Sequence, residues 1–279
     1  MLKFDFHCHS CFSDGALTPT QLIDYAVERE IKLLALTDHD CIHGLSEAHN
    51  HILEKQYDIE LINGVELTAL CEFGEVHVVG LGIDSTNTSL LSTLAQQQAE
   101  RKKRARQIDE KLNLLGVHGV LEYCNQMSPV ALTRTHIAQA IVALGYAKDM
   151  KAAFKKFLGK NGKIKVAKNW IDLSVAIELI KQAGGVAVLA HPTRYPLSNR
   201  KLGLLIAHFA QLGGEAIEMA YPSLSKDKIE WLKLHLEMHQ LQASSGSDFH
   251  YPGLKWTDLG KFPFLDRSIP HIFEERIQI

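Results

Sequence analysis

Two histidines lie two residues apart near the start of the chain, in the stretch FDFHCHSCFSDG that spans residues 4–15. Side chains alternate between the two faces of a β-strand, so His7 and His9 would share a face if this stretch is a strand. Asp14 follows them and adds a carboxylate. Imidazole and carboxylate groups are the usual ligands of catalytic Zn²⁺, Mn²⁺ and Fe²⁺, although a buried hydrogen-bonded pair would also explain two histidines alone.

Residues of the same chemical types occur in or after several other apolar runs, in the motifs LTDHD, GVE, EVHVVG, AHP and SGSDFH. If these runs are parallel strands, their carboxyl ends meet at one face of a barrel, where the active sites of such folds lie. The expected metal ligands are His7, His9, Asp14, His39, Glu66, His77, His191, Asp248 and His250. Because these are too many ligands for one ion, we expect two or three divalent ions, with Mn²⁺ as the first choice and Fe²⁺ or Zn²⁺ as alternatives.

Seven short apolar runs predict β-strands, and helical patterns lie between several of them. The predicted strands are centred near residues 4, 35, 61, 79, 188, 217 and 244. The predicted helices span residues 18–29, 44–55, 172–183, 199–212 and 225–240. The first of them opens with Thr18 and Pro19, a cap followed by proline at the first helical position. This alternation predicts an α/β fold whose parallel sheet closes, or nearly closes, into a barrel.

Residues 89–168 interrupt the alternation, because they are helical in pattern and strongly basic. Residues 101–168 contain 15 of the 30 Lys and Arg residues and four acidic residues, which gives a net charge of +11 against −13 for the rest of the chain. We interpret residues 89–168 as a basic helical insertion that binds substrate, within a barrel formed by residues 1–88 and 169–279. The run RKKRAR at residues 101–106 is expected to be a solvated helix face, with contact to nucleic acid as the alternative.

The composition is typical of a globular protein without membrane spans or a disulfide framework. Hydrophobic residues make up 46% of the chain, and no apolar run approaches the roughly 20 residues of a membrane helix. Five cysteines, an odd number, argue against paired disulfides, and the C-x-x-C of Cys8 and Cys11 lacks the second pair that a zinc knuckle needs. The amino terminus has no signal-peptide pattern, so we expect a cytoplasmic protein with no membrane contact and no obligate protein partner.

The order of the motifs resembles that of the PHP (polymerase and histidinol phosphatase) family of metal-dependent phosphoesterases. The shared pattern is H-x-H, D-H-D, G-V-E, a single His, A-H-P and S-D-x-H, and it extends over nearly the whole chain. The stretches AHPTRYPLS, GGEAIEMAYP and GSDFHYPGLKWTDLG resemble the subgroup that acts on 3′,5′-nucleoside bisphosphates and on the 5′ ends of short RNAs. The resemblance implies a distorted seven-stranded (β/α) barrel with a trinuclear metal site.

The resemblance also distributes the expected ligands over three metal sites. Carried over by position, the three sets are His7, His9, Glu66 and Asp248; Glu66, His77 and His191; and Asp14, His39 and His250. Glu66 would bridge the first two ions. Asp14 stands where many relatives have a histidine, which would alter the third site.

The activity that the resemblance implies is hydrolysis of the 3′-phosphate ester of 3′,5′-nucleoside bisphosphates to a nucleoside 5′-monophosphate and phosphate. Trimming of short 5′-phosphorylated RNA in the 5′-to-3′ direction would use the same site. Metal ions would activate the attacking water and neutralise the phosphoryl oxygens. Asp40 and His250 are the candidate catalytic side chains. The leaving oxygen could take its proton from Asp40 or from a metal-bound water, and Asp38 could orient a ligand.

Three further residues are candidates for substrate binding. Arg134 and His136 lie at the predicted start of a helix in LTRTHIAQAI, where Thr133 or Thr135 could act as the cap and free amides favour anions. Arg194, in the motif AHPTR, should face the same site. Arginine suits bidentate phosphate binding, and a surface salt bridge is the alternative for either arginine.

Two other functions fit parts of the pattern. An amidohydrolase also begins with H-x-H on a barrel strand, but it would be expected to have a bridging lysine where this chain offers Glu66. A non-catalytic PHP module that regulates a polymerase would be expected to have degraded ligands, whereas every ligand is present here. The phosphoesterase is therefore the main hypothesis.

Overall fold

The computed structural model describes residues 2–127, 129–253, 257–266 and 268–273, and its strands form one sheet flanked by helices. The strands are β1 (Lys3–Cys8), β2 (Ile31–Leu36), β3 (Glu60–Cys71), β4 (Gly74–Leu81), β5 (Ile171–Asp172), β6 (Val186–Leu189), β7 (Ala216–Ala220) and β8 (Gln242–Ser245). Their order is β1-β2-β3-β4-β6-β7-β8, and the short β5 pairs with β3. The seven strands of this path lie where the sequence predicts them, which confirms the α/β fold.

One strand departs from the predicted parallel arrangement. β4 pairs antiparallel with both β3 and β6, while the other neighbours on the path are parallel. The chain reverses between Cys71 and Gly74, which are paired, so that only Glu72 and Phe73 form the turn. A two-residue turn joins antiparallel strands and cannot supply the long crossover that a parallel pair needs. The prediction of an all-parallel sheet is therefore wrong at β4.

The sheet is nearly closed but not fully closed. β1 and β8 are the two ends of its strand order, and an isolated bridge joins Cys8 to Phe249, just beyond β8. The backbone N–H of His9 also donates to the carbonyl of Phe249 at 2.9 Å. This contact places the segment around Asp248 beside the end of β1, so that both edges of the sheet contribute to one site.

The helices agree closely with the predicted pattern outside the insertion. They are α1 (Pro19–Glu28), α2 (Gly44–Lys55), α3 (Thr88–Asn113), α4 (Val120–Met127), α5 (Arg134–Ala143), α6 (Met150–Ala153), α7 (Leu173–Gln182), α8 (Asn199–Gln211) and α9 (Lys226–His239), and a π-helical turn (Phe154–Leu158) follows α6. The α1 cap has the predicted form: Thr18 accepts from the backbone N–H of Gln21 at 3.2 Å, and its own N–H donates to the Gln21 side chain. In the described part of the chain, no helix is long and apolar enough to cross a membrane.

The apolar core has a large part around the sheet and a smaller part within the insertion. The largest cluster packs α7, α8 and α9 against β3, β4 and β6, and α3 adds Leu90 and Leu94 to it. The helices α3, α4 and α5 bury a cluster of their own that includes Leu112 and Phe157. The insertion thus packs apolar side chains from the start of α3 against the barrel and buries a separate apolar cluster beyond it. The domain boundaries at residues 89 and 168 stay a prediction.

Candidate metal centre

Glu66, which is fully buried within β3, is the centre of a group of histidines. Its Oε1 lies 2.8 Å from Nδ1 of His77 on β4 and 3.1 Å from Nε2 of His191, which follows β6. Its Oε2 lies 2.8 Å from Nδ1 of His39, which follows β2. Three segments that are distant in sequence therefore bring an imidazole to one carboxylate.

His7 and His9 approach the same carboxylate from β1 and the loop that follows it. Their Nε2 atoms lie 3.1 Å apart, and each lies 3.4 Å from Oε2 of Glu66. Oδ1 of Asp248 lies 3.4 Å from Nε2 of His7 and 3.2 Å from Nε2 of His9. Both histidines are fully buried, so their nitrogens have no access to bulk water.

Asp14 and His250 complete the cluster on its outer side. Nε2 of His250 lies 3.3 Å from Oδ1 of Asp14, and Nε2 of His39 lies 3.7 Å from the same oxygen. The His39 ring therefore has one nitrogen directed at Asp14 and the other at Glu66. All nine side chains that the sequence predicts as ligands lie in this one cluster, whereas their roles as metal ligands stay a prediction.

The cluster has the chemistry of a cation site more than that of a hydrogen-bond network. Nδ1 of His39 and Oε2 of Glu66 are close but form no hydrogen bond of acceptable geometry. Oδ1 of Asp14 and Nδ1 of His191 are also buried without a hydrogen-bond partner in the described structure. Since buried polar atoms are normally hydrogen-bonded, lone pairs that converge without donors indicate bound cations. The residues present therefore fit divalent metal ions.

Among the residues that the structure describes, three groups of side chains bring their ligand atoms within 4.8 Å of one another. They are His9, Asp14, His39 and His250; His7, His9 and Glu66; and His39, Glu66 and His77. The first group contains the whole third set that the family resemblance implies. The second and third groups share Glu66, as expected for a bridging carboxylate.

The histidines keep the carboxylates of the cluster ionised. Burial would raise the pKa of Glu66, yet the neighbouring imidazoles of His39 and His77 lower that pKa well below its ordinary value. Burial acts in the same way on Asp14, where His39 and His250 outweigh it and lower the pKa well below the usual range. Metal ligands must be deprotonated, so both carboxylates are in the form that binds a divalent ion.

Glu218, in the middle of β7, orients two of the histidines. Its Oε1 accepts a hydrogen bond from Nδ1 of His7 at 2.6 Å, and its Oε2 accepts from the backbone N–H of His191 at 2.6 Å. A carboxylate bound to the far nitrogen of a ligating histidine fixes its tautomer and ring orientation. The sequence analysis missed Glu218, although a glutamate inside the buried strand EAIEMA was an available signal.

Asp38 holds the loop that leads to Asp14. It accepts from the backbone N–H and hydroxyl of Ser10 at 2.8 and 2.6 Å, and from the hydroxyl of Ser13 at 2.5 Å. Burial raises the pKa of Asp38 to about 6. Asp38 thus fixes Ser10 and Ser13, which lie between His9 and Asp14, and its orienting role stays a prediction.

Asp40, predicted as a candidate proton donor, is instead held in a buried ion pair. Its Oδ2 accepts from Nε of Arg101 at 2.8 Å and lies 2.6 Å from Nη2, and its Oδ1 accepts from the backbone N–H of Thr68 at 2.9 Å. Asp40 is fully buried and Arg101 is only 7% exposed. Through this ion pair, Asp40 connects α3 to the segment that contains His39. It also shows that the prediction of a solvated helix face at residues 101–106 is wrong at Arg101.

His136, predicted to bind substrate, caps α5 instead. Its Nδ1 accepts from the backbone N–H of Thr133 at 3.0 Å, and the ring is buried. The Thr133 hydroxyl in turn donates to Oδ2 of Asp14 at 3.0 Å. His136 therefore acts on the site indirectly, because it fixes the threonine that holds Asp14.

The cluster opens into a cavity of about 820 Å³ whose other walls come largely from the insertion. The basic residues that the insertion contributes are Arg101, Arg104, Arg134, Lys160, Lys165 and Lys168. Arg194 lines the same cavity and forms a short ion pair with Asp248. Arg134 donates to Oε1 of Glu75 at 3.0 Å. The structure thus brings both predicted substrate-binding arginines to the cavity that contains the histidine cluster.

Comparison with known protein families agrees with this arrangement. A family model described as the PHP domain matches residues 5–181, more than half of the chain. The chain belongs to the PHP family. The predicted family is therefore confirmed.

Two relatives are similar to this PHP protein over nearly their full lengths. A 5′-3′ exoribonuclease of Haemophilus influenzae is 39% identical over 269 residues, which cover 96% of this chain and 97% of the relative. A 3′,5′-nucleoside bisphosphate phosphatase of Chromobacterium violaceum is 41% identical over 286 residues, which cover 99% of this chain and 98% of the relative.

Two solved structures have the same fold. One, described as an amidohydrolase from Chromobacterium violaceum with bound sulfate and no metal, matches with a TM-score of 0.90 and 40% identity over 98% of this chain and 95% of that one. The other, assigned as a metal-dependent phosphoesterase of Bifidobacterium adolescentis, matches with a TM-score of 0.79 and 27% identity over 99% and 94% of the two chains. These matches support the distorted barrel of the PHP type.

This PHP protein also has cavity residues that the sequence analysis missed. Trp170 donates from Nε1 to Oε2 of Glu75 at 2.8 Å, and Nζ of Lys168 lies 3.2 Å from the same oxygen. Arg101 and Arg104 lie over the Trp170 ring, with their guanidinium carbons 5.2 and 5.6 Å from its centroid. These contacts join residues far apart in sequence, so no local pattern marks them.

Proposed function

We propose that this chain is a metal-dependent phosphoesterase that removes the 3′-phosphate of 3′,5′-nucleoside bisphosphates and trims short 5′-phosphorylated RNA from its 5′ end. The observation that carries the proposal is the single cavity that joins nine metal-type side chains to a basic wall. Metal ions can activate the phosphoryl group that is hydrolysed. Arginine and lysine side chains can bind a second phosphate of the substrate that is not hydrolysed. The two relatives named for these activities support the same choice.

Glu66 is the residue proposed to bridge two ions, with the remaining eight ligands divided as the family resemblance implies. Mn²⁺ is the proposed metal because the ligands are imidazoles and carboxylates without a thiolate. Bound ions in such a site lower the pKa of a water molecule and neutralise charge on the phosphoryl oxygens. Glu218 and Asp38 keep the ligands in place for this chemistry.

The side chains of the cavity divide the remaining work. Arg134 and Arg194 are proposed to bind phosphate oxygens, and each is now held by a carboxylate that positions its guanidinium. His250 is 22% exposed, faces the cavity, and is proposed to hold or give a proton at Nε2 when that atom is not a ligand. Asp40 is not proposed as the acid, because Arg101 occupies its carboxylate.

One reaction accounts for both substrates. Hydrolysis of the bond between the 3′-oxygen and phosphorus releases a nucleoside 5′-monophosphate and inorganic phosphate from a bisphosphate. In RNA, the same cleavage releases the first nucleotide as its 5′-monophosphate and leaves a new 5′-phosphate on the shortened strand. Basic residues that line the cavity would screen a longer polyanion, and their contribution should fall with salt.

A comparison of two RNA pentamers tests the RNA activity. We expect the enzyme to shorten a 3′-labelled pentamer stepwise when its 5′ end is phosphorylated and to leave the 5′-hydroxyl form intact, because only the first offers a terminal phosphate to the basic wall. Denaturing gel electrophoresis of time points gives the answer. Intact pentamers of both kinds, beside rapid hydrolysis of the bisphosphate, would limit the enzyme to mononucleotides.

An amidohydrolase activity has less support from the site. The buried carboxylate of Glu66 lies among His39, His77 and His191, whereas an amidohydrolase would be expected to have a bridging lysine at the metals. The ligands are also complete, which argues against a regulatory module without catalysis.

A further inference from the structure

Arg104 is the one arginine of the cavity without an anionic partner in the described structure. Arg101 forms an ion pair with Asp40, Arg134 forms one with Glu75, and Arg194 forms one with Asp248. Arg104, on the same helix as Arg101, has no ion pair or hydrogen bond among the described residues, and its Nε is buried without a partner.

The surroundings of Arg104 make this lack of a partner costly. The side chain lies against Trp170 in the cavity wall, and burial together with the charge of Arg134 lowers the pKa of Arg104 to about 10. Arg104 is partly exposed, but its Nε is buried, and a buried N–H is stabilised only when an acceptor replaces the lost solvent. Since Arg104 lines the cavity, an anion bound there would supply the missing acceptor.

The position of Arg104 indicates which part of a substrate it meets. The charges that act on it most strongly are those of Arg134, Glu75 and Arg101, and none of these is a candidate metal ligand. Arg104 thus belongs to the end of the cavity formed by α3 and Trp170, whereas the reacting phosphate must lie at the histidine cluster. A planar guanidinium held against an aromatic ring presents its edge to a phosphate, which it can bind through two parallel hydrogen bonds.

We infer that Arg104 binds the second phosphate of the substrate, the terminal 5′-phosphate that is not hydrolysed. This assignment rests on the proposed function, since it presumes a substrate with two phosphates. Arg104 is then the residue that distinguishes a 3′,5′-bisphosphate from a nucleoside 3′-monophosphate. Arg134, which is paired with Glu75, would contribute a weaker contact to the same phosphate.

The test compares two substrates that differ only in the 5′-phosphate, adenosine 3′,5′-bisphosphate and adenosine 3′-monophosphate. With the Mn²⁺-loaded enzyme, Arg104→Gln should lower kcat/KM for the bisphosphate about ten- to a hundredfold and leave the 3′-monophosphate almost unchanged. Arg104→Lys keeps the positive charge but lacks the two parallel N–H donors of the guanidinium. Its decrease in kcat/KM for the bisphosphate should therefore be intermediate. Arg106→Gln is the matched control, because it removes the same charge from an exposed position of the same helix, and neither rate should change.

Thermal unfolding without substrate separates binding from a structural role. Since Arg104 has no ion pair or hydrogen bond to lose and gives up only its contact with the Trp170 ring, the midpoint of Arg104→Gln should stay close to that of the wild type. The inference would be overturned if kcat/KM fell equally for the two substrates or did not fall for the bisphosphate. It would also be overturned if neither Arg104 variant folded. If the wild type itself does not prefer the bisphosphate, the proposed substrate is wrong. If the wild type has the preference and Arg104→Gln retains it, only the role of Arg104 is wrong.

Discussion

Replacing Glu66 by Gln is expected to lower kcat/KM for 3′,5′-bisphosphates by about a thousandfold or more and to weaken Mn²⁺ binding. The substitution keeps the size of the side chain but removes the charge around which His39, His77 and His191 are arranged. It also leaves only one carbonyl oxygen where two oxygens now face different histidines. Steady-state kinetics and calorimetric titration of the metal-free protein with Mn²⁺ would measure the two effects.

Glu60→Gln is the matched control for this experiment, because Glu60 is an exposed residue at the start of the same strand. Its variant should bind Mn²⁺ and turn over substrate as the wild type does. A Glu66→Gln enzyme that keeps most of its activity and its full metal content would contradict the proposed bridging role.

Replacing Arg101 by Ala is expected to lower the free energy of unfolding by about 3–5 kcal/mol, because it leaves the carboxylate of Asp40 buried and unpaired. The pair is closed to solvent, with side-chain exposures of 7% for Arg101 and 0% for Asp40. Adding Asp40→Asn to this variant should restore part of the lost stability, since it removes the unpaired charge. Denaturant unfolding of the metal-free proteins measures both values.

Arg106→Ala serves as the control for Arg101→Ala, and its effect should stay within about 0.5 kcal/mol because Arg106 is exposed. An equal effect of the two substitutions would mean that the ion pair with Asp40 does not hold α3 to the barrel. If the double variant were no more stable than Arg101→Ala, the unpaired charge of Asp40 would not be the cause of the lower free energy of unfolding.

Ligands such as His9, His39 and His191 could be predicted because they lie close to strand ends, which the apolar runs of the sequence mark, whereas Glu66 and His77 lie inside β3 and β4. A strand end fixes the place of the next few side chains in the fold, so His39 and His191 could be located without knowledge of their contacts. The direction of β4 was predicted wrongly, because the prediction rested on the alternation of strands and helices. The signal for an antiparallel pair is the turn of only two residues between β3 and β4. His77 still reaches Glu66, since it lies opposite Thr68 in the antiparallel pair.

The wall of the cavity was harder to predict, because its residues act through tertiary contacts. The run at residues 101–106 looks uniformly basic in sequence, yet Arg101 is buried, Arg104 is partly buried and Arg106 is exposed. Which of them faces the barrel depends on how α3 packs, and that packing depends on Asp40. Glu75 was missed for a similar reason, since its partners Arg134, Lys168 and Trp170 come from the insertion and the segment just after it.

Metal dependence of bisphosphate hydrolysis tests the central claim most directly. Protein stripped with a chelator and checked by elemental analysis should release no phosphate from adenosine 3′,5′-bisphosphate. Addition of Mn²⁺ should restore the reaction, with adenosine 5′-monophosphate and inorganic phosphate as the products. Full turnover by the protein that elemental analysis shows to be free of metal would contradict the account.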